Sequence, residues 1–420
     1  MATTAVPDPP IRLEGRLGDD GADGAVVVVG PGPRFLSGIG YYSTALANAL
    51  SPRGPVALLQ LRKLCPLWVY PGRDRVGSDL GALPVDPGVE VFDGLDWYWG
   101  RSLPAALSFL GRVRPRVVIF QWWTATTAHS YLALAAAARR MGARVVVEFH
   151  EIQDVGEADV SGVAAYGRWA MAQLLERADG VVVHSSHDAE AVRRSWPRAA
   201  QVPLSVITMG PFGPTAAGGA GSPGVDGAPG HGSEVGPDRG SRVRLLYFGV
   251  IRPYKGLEDL AIAMSMLLAS GADVELEVVG EVWMGYRAPV DQLRALGDRV
   301  RVREGFVPDD EVIEHFSSAD LVVLPYRRSS GSGPLHQAMS MGLPVVTSAV
   351  GGLPDAVQGY GGAVLVEPGN PTALAAGIRQ ALPLTGRRHR SPHGWSQAVE
   401  RFEALFAEVE GRATTAPVSA

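Results

Sequence analysis

Two cations, Arg252 and Lys255, stand three residues apart in Gly249-Val-Ile-Arg-Pro-Tyr-Lys-Gly256. An apolar run precedes them and a helical pattern follows. Positive side chains beside a helix start are what a diphosphate leaving group needs. They would offset the charge that grows on phosphate as a bond to it breaks. The alternative is an ordinary charged loop. Lysine is scarce, at positions 63 and 255 alone among many arginines. A retained lysine hints that a compact ammonium is wanted at Lys255.

Two further loops have the same strand–glycine–helix grammar. In Ser330-Gly-Ser-Gly-Pro-Leu-His-Gln337, backbone donors around Ser332 and Gly333 could meet phosphate. Ser332 equally suits a helix N-cap. Gln337, one turn into the helix, could face a ribose hydroxyl. In Gly30-Pro-Gly-Pro-Arg-Phe-Leu-Ser-Gly-Ile-Gly40, Gly38 and Gly40 open a helix and let backbone approach an anion. A plain strand–helix turn needs the same small residues. A dinucleotide site wants an acid at the end of the next strand, about 20 residues on. That strand ends Leu-Gln-Leu-Arg-Lys63, without one. His150 closes another apolar run.

The elements that must position these groups alternate. Strand-like runs at 25–29, 56–61, 117–121, 144–149, 180–183 and 204–207 enclose helical patterns at 40–50, 124–140 and 163–178. The alternation restarts with strands at 242–248, 274–279, 300–303, 321–324, 344–347 and 363–366. Helices are expected there at 257–268, 309–318, 334–341 and 371–382, and a last one at 395–409. Such alternation predicts an α/β chain with parallel sheets, ligands binding at the carboxyl ends of the strands. The expected layout is a loose tail 1–24, a first Rossmann-like domain 25–212, a Gly/Pro-rich disordered linker 213–241 and a second domain 242–390. A closing helix 391–412 and a tail 413–420 complete it.

Composition narrows the class. The chain has 420 residues, 46% hydrophobic, enough for two cores. A net charge of −5 without a basic block argues against nucleic acid. Cys65 is the one cysteine, so no internal disulfide or cysteine zinc site forms. The amino terminus lacks signal-peptide grammar, and no apolar run reaches membrane-spanning length. A cytoplasmic protein is expected, with peripheral membrane contact open through the aromatic and basic segment 61–73.

The ordered set of motifs resembles the retaining GT-B glycosyltransferases of family 4, bacterial and mannosyltransferase-like. The matching pieces are Ser37-Gly-Ile-Gly40, Glu148-Phe-His-Glu151, Phe248-Gly-Val-Ile-Arg-Pro-Tyr-Lys-Gly256 and Val279-Gly-Glu281. They continue with Gly305-Phe-Val-Pro308 before Glu311, Ala338-Met-Ser-Met-Gly-Leu-Pro-Val-Val346 and Gly351-Gly-Leu-Pro-Asp355. The resemblance spans about residues 26–410, the linker excepted. It implies two Rossmann-like domains facing a cleft, with the last helix crossing back to the first. It implies a nucleotide-diphosphate sugar as donor, an unidentified acceptor, and transfer of a hexosyl unit. The loop at Gly38 and Gly40 would line the donor phosphate and acceptor side, and His150 would contact the transferred sugar. Arg252 and Lys255 would hold the diphosphate, and backbone at Phe306 and Val307 would face the base. Glu281, Ser332, Gly333 and Gln337 belong with the donor.

One departure stands out. The family's pair of glutamates, seven residues apart between them, is here Ser329 and Gln337. No Asp-x-Asp occurs, which agrees with cations and helix dipoles in place of a metal. The rival readings are a GT-B nucleotide-sugar epimerase or hydrolase, and a lapsed scaffold that partners another transferase.

Overall fold

The computed structural model describes residues 12–14, 24–32, 38–63, 83–152, 161–210 and 242–414. The expected linker 213–241 and most of the segment 61–73 lie outside them. The described chain divides into two compact α/β units. The first holds the residues up to Val182, then Arg193–Ser205, then Phe402 onward; the second holds Val183–Val192 and Val206–Arg401.

The first unit is built on β1 (Arg12–Glu14), β2 (Ala25–Pro31), β3 (Val56–Lys63), β4 (Val89–Asp96), β5 (Pro115–Trp122), β6 (Arg144–Phe149), β7 (Gly180–Val183) and β8 (Leu204–Val206), in the order β1-β4-β3-β2-β5-β6-β7-β8. From β4 to β7 every pairing is parallel. Val26 to Val29 and Val145 to Val147 are buried in runs, as strands covered on both faces should be. Helices α1 (Gly38–Leu50), α2 (Ser102–Val113), α3 (Ala128–Arg140), α4 (Ser161–Leu175) and α5 (Ser186–Ser195) belong to this stretch of chain.

Three expectations are corrected here. The tail 1–24 contributes a strand, β1, antiparallel on β4 through Arg12↔Asp93, Leu13↔Phe92 and Glu14↔Val91. Strand β4 itself and α2 were not expected, because Glu90, Asp93 and Asp96 interrupt the apolar pattern. Tertiary partners make Glu90 and Asp96 tolerable inside. Arg112 pairs with the buried Glu90, and Arg62 grips Asp96 in two hydrogen bonds of 2.7 and 2.6 Å. The third correction concerns the boundary near 212. Val183–Val192 clusters with the second unit, where the Ser186 N–H and hydroxyl donate to Asp355 Oδ2 at 2.6 and 2.5 Å.

The second unit carries β9 (Val243–Phe248), β10 (Val274–Gly280), β11 (Val300–Glu304), β12 (Leu321–Leu324), β13 (Val345–Ser348) and β14 (Ala363–Val366). All pair in parallel in the order β11-β10-β9-β12-β13-β14. This is the doubly wound order, reversing between β9 and β12. Helices α6 (Leu257–Ala269), α7 (Ala288–Arg294), α8 (Asp309–Ser318), α9 (Gly333–Ser340), α10 (Leu353–Ala356) and α11 (Pro371–Ala381) connect the strands. Leu245, Tyr247, Leu276 and Val278 face one core, with Leu260, Met264 and Ile378 of α6 and α11. Leu246, Val279, Val322 and Leu324 face the other, with Phe316 and Leu335.

The last helix, α12 (Trp395–Thr414), begins among second-unit residues and ends among first-unit ones. Within the first unit, Glu410 accepts a 2.8 Å hydrogen bond from Arg116, whose guanidinium also lies 5.5 Å from the Phe406 ring centre. Gly180 leaves room for this helix: a Cβ there would sit 2.9 Å from Val409 Cγ1. No helix among the described residues is long and apolar enough to cross a membrane.

Candidate functional site

In the second unit, glycines gather the strand ends at the carboxyl edge. The Gly249 N–H donates to Val279 O and the Gly305 N–H to Gly280 O. A Cβ on Gly280 would lie 1.9 Å from Gly249 O, so only glycine fits that approach. The turn after β9 is pinned to the turn after β12. Gly256 has φ +70°, and a Cβ there would fall 1.8 Å from Pro325 O. The Arg327 N–H donates to Tyr254 O, and its guanidinium grips Asp259 at 2.8 Å through two nitrogens. Glu258 pairs with the same guanidinium.

This bracing places both expected cations. Lys255 Nζ rests 3.7 Å from the Tyr326 ring centre and 5.4 Å from that of Tyr254. Arg252 lays its guanidinium 4.0 Å from the Trp283 ring centre. Its Nε is buried and makes no hydrogen bond among the described residues. Trp283 opens a tight turn in which Met284 takes φ +47°, a conformation costly for a side chain. Nothing in the local sequence singles out Trp283; its signal is an aromatic three residues beyond Gly280.

The remaining donor-side candidates fall at the same edge with differing roles. Ser332 is the N-cap of α9, accepting from the Leu335 N–H at 3.2 Å, and its hydroxyl also faces Tyr326. Gly333 is the first helical residue, and Gly249 packs toward the neighbouring Pro334. Glu281 is half-buried, its carbonyl accepting from the Ile251 N–H at 2.8 Å. Phe306 is half-buried, while Val307 joins the core. Gln337 is buried with its amide nitrogen 3.4 Å from Met341 Sδ, one turn along its own helix. Ser329 donates to Gly331 O at 2.7 Å. Gly351 backs this loop so closely that a Cβ would meet Ser329 O at 1.6 Å.

In the first unit, Gly38 and Gly40 lie in the first turn of α1, Gly38 exposed and Gly40 buried. His150 follows β6, is 6% exposed, and donates its backbone N–H to Trp122 O at 2.9 Å. Its Nε2 meets Gln121 Oε1. The Gln121 amide nitrogen donates to Glu148 Oε2 at 2.7 Å, and the Tyr42 hydroxyl to Glu148 Oε1 at 2.6 Å. The Tyr42 and His150 rings meet edge to face, 4.8 Å between centres. Burial pushes Glu148 up to about 7, against the two hydrogen bonds that favour its charged form.

A rigid aromatic loop, unexpected from the sequence, follows β4. The Trp97 indole donates to Thr126 O at 3.0 Å and the Trp99 indole to Ser130 Oγ at 2.9 Å. His129 sits against both rings and bonds Trp97 O at 2.8 Å. Trp99 takes φ +61°, and Tyr98 between them is 62% exposed. Tyr131, two residues further along α3, donates to Gln121 O at 2.9 Å, so one helix turn braces both this loop and the strand beside His150.

Residues 37–210 match the glycosyl transferase 4-like domain, and residues 242–383 match glycosyl transferases group 1. The D-inositol 3-phosphate glycosyltransferase 1 of Catenulispora acidiphila is 33% identical over 187 residues, 40% of this chain and 44% of that protein. This match thus spans under half of the relative's length. The D-inositol 3-phosphate glycosyltransferase of Mycolicibacterium vanbaalenii is 27% identical over 378 residues, 80% of this chain and 79% of that one. The Anabaena protein HepE, solved with UDP-glucose, superposes with a TM-score of 0.57 at 15% identity, covering 94% of this chain and all of that one. The two matched domains and the shared fold place this chain in the group 1, family 4-like glycosyltransferases of GT-B fold.

Proposed function

We propose that the chain transfers a hexosyl unit from a nucleotide-diphosphate sugar to an acceptor, with retention at the anomeric carbon and without a metal ion. The observation that carries this reading is Arg252, a guanidinium held over Trp283 with an unpartnered buried Nε, beside Lys255 at the topological switch of the second sheet. A diphosphate held there meets two cations and the amino end of α9. These charges offset the negative charge that develops as the sugar leaves. The base would meet the backbone at Phe306 and Val307, and Glu281 would lie on the nucleoside side. A relative named as a nucleotide-sugar enzyme, a Xanthomonas campestris GDP-mannose:glycolipid 4-β-D-mannosyltransferase, 35% identical over 104 residues, supports the donor class. Retention follows the family resemblance. His150 is the group proposed for the transferred sugar, and Gly38 and Gly40 for the phosphate and acceptor side. The exposed Tyr98, held between pinned tryptophans, is proposed as a stacking surface for the acceptor. A cytoplasmic setting accords with such a donor.

The Ser332 hydroxyl is committed to its helix cap, so its contact to donor would be through backbone. Gln337 is turned along its own helix, which leaves the ribose contact to be tested.

The test is a thermal-shift panel of UDP, GDP, ADP and TDP with their common sugars, run in EDTA. A ligand at about 100 times its Kd adds about 2.7 kcal/mol. One nucleotide is expected to stabilise the wild type, and Arg252→Ala and Lys255→Ala to lose that shift. No shift from any donor would move the lapsed-scaffold reading to the front.

A further inference from the structure

Tyr326 follows β12 by two residues and is buried. Both of its neighbours in the chain are pinned to the turn that carries Lys255. Pro325 O backs Gly256 so closely that a Cβ there would fall 1.8 Å away, and the Arg327 N–H donates to Tyr254 O at 2.8 Å. The Tyr326 ring is thereby set under Lys255, whose Nζ lies over it, 3.7 Å from the ring centre. Burial pushes the Tyr326 hydroxyl up to about 12, so a neutral ring meets the ammonium. That hydroxyl accepts a 3.3 Å hydrogen bond from Ser332 Oγ, and Ser332 Oγ in turn accepts from the Leu335 N–H at the amino end of α9. One buried side chain touches both the cation and the helix cap.

We propose that Tyr326 is a positioning residue of the second unit: its ring seats the Lys255 ammonium, and its hydroxyl ties that seat to the Ser332 cap, so the cation and the amino end of α9 keep a fixed separation. A lysine carries its charge on a flexible four-carbon stem, and the charge is only as well placed as the stem is held. Seating it before a ligand arrives removes that ordering cost from binding. The benefit to donor binding rests on the transfer reading above; the seating of Lys255 does not.

The readout is the lysine ε-methylene signal of the full chain labelled with ¹³C-lysine. The sequence has two lysines, so two signals are expected, and Lys255→Arg identifies one by its loss. Protons above the face of an aromatic ring resonate upfield. The wild-type Lys255 signal is expected upfield of its position in the urea-unfolded chain. Tyr326→Leu is expected to remove most of that shift and Tyr326→Phe to keep it. Tyr254→Leu, the ring 5.4 Å from Nζ, is expected to change it less. A wild-type signal at the unfolded position, or a shift that Tyr326→Leu leaves in place, overturns the proposal. The first of these needs no variant at position 326 and carries the test if Tyr326→Leu does not fold.

Titration with UDP and with GDP reads the consequence for binding. For whichever binds, Tyr326→Leu is expected to weaken affinity about threefold to thirtyfold, the range of a cation–π contact, and Tyr326→Phe to weaken it less. In a Lys255→Ala background Tyr326→Leu is expected to add little, because the two residues act through one contact. Equal losses in both backgrounds would overturn the claim that Tyr326 acts through Lys255. A lysine signal that moves as expected while neither nucleotide binds would keep the seating and remove the donor reading.

Discussion

Arg252 holds its guanidinium carbon over Trp283, 4.0 Å from the ring centre, and this contact decides where the positive charge stands. An exposed cation–π contact contributes about 0.5–1 kcal/mol, rising toward about 2 kcal/mol when water is excluded. Trp283→Ala is therefore expected to weaken nucleotide-diphosphate binding about threefold to tenfold with little change in melting temperature. Arg252→Lys should bind no better than Trp283→Ala, because a compact ammonium cannot reproduce the guanidinium's contact with the ring. Calorimetric titration checks both, and undiminished affinity in Trp283→Ala would detach the contact from donor binding.

Gly256 tests the brace between the turns after β9 and β12. Alanine there meets Pro325 O and must also adopt φ +70°. The expected cost is at least about 2 kcal/mol, from strain and steric displacement together. Chemical denaturation measures it. Because the same turn carries Lys255, donor-induced stabilisation should fall with it.

The second unit holds three histidines, His184 and His336 buried and His393 half-buried, whose neutral forms the fold favours. Burial lowers His336 to about 3 and His184 to about 4, and lowers His393 as well. Their folded values lie below the ordinary value of 6.5. Their contribution is complete above pH 6.5 and is lost as pH falls from there toward 4 and 3. For His336 alone the loss is roughly 2 kcal/mol at pH 5. Glu148 runs the other way: its raised value gives a contribution present below 4.5 and lost as pH rises through about 7. Asp188, pushed up by burial to about 6, acts with Glu148 and offsets much of the histidine loss in the wild type between pH 7 and pH 5. The test is therefore the difference: the stability of His336→Gln relative to wild type is expected to rise as pH falls from 7 to 5. A difference that stays constant with pH would contradict the assignment.

Tyr98 tests the proposed acceptor contact. Aromatic contacts of this kind contribute about 0.5–1.5 kcal/mol beyond area burial. Tyr98→Ala is expected to raise acceptor KM about threefold to tenfold and to leave donor affinity unchanged. Steady-state kinetics on whichever acceptor is turned over decides it; an unaltered KM would take the loop out of the acceptor site.

Strands such as Gly180–Val183 and Leu321–Leu324 were legible because a parallel strand, covered on both faces, writes itself as a run of aliphatic residues. Strand β4 was not, since its acids are acceptable only with Arg112 and Arg62 alongside, and no local pattern announces those partners. The site divides the same way. The candidates Arg252, Lys255 and His150 are legible by type and by their place at a strand end. Their surroundings did not: Trp283 lies 31 residues from Arg252, and Tyr42 lies 106 residues from the Glu148 it bonds.

The sequence by itself determined two parallel α/β sheets, the loops that leave them, and which polar residues stand at their carboxyl edges. Hydrophobic periodicity and glycine placement are local, so one chain suffices to read them. Only the tertiary structure decided which aromatic ring faces each cation, which carboxylate and histidine the Gln121 amide bonds, and which serine is spent on a cap. Those are pairings across long separations, set by strand order and side-chain packing, and no spacing along the chain encodes them.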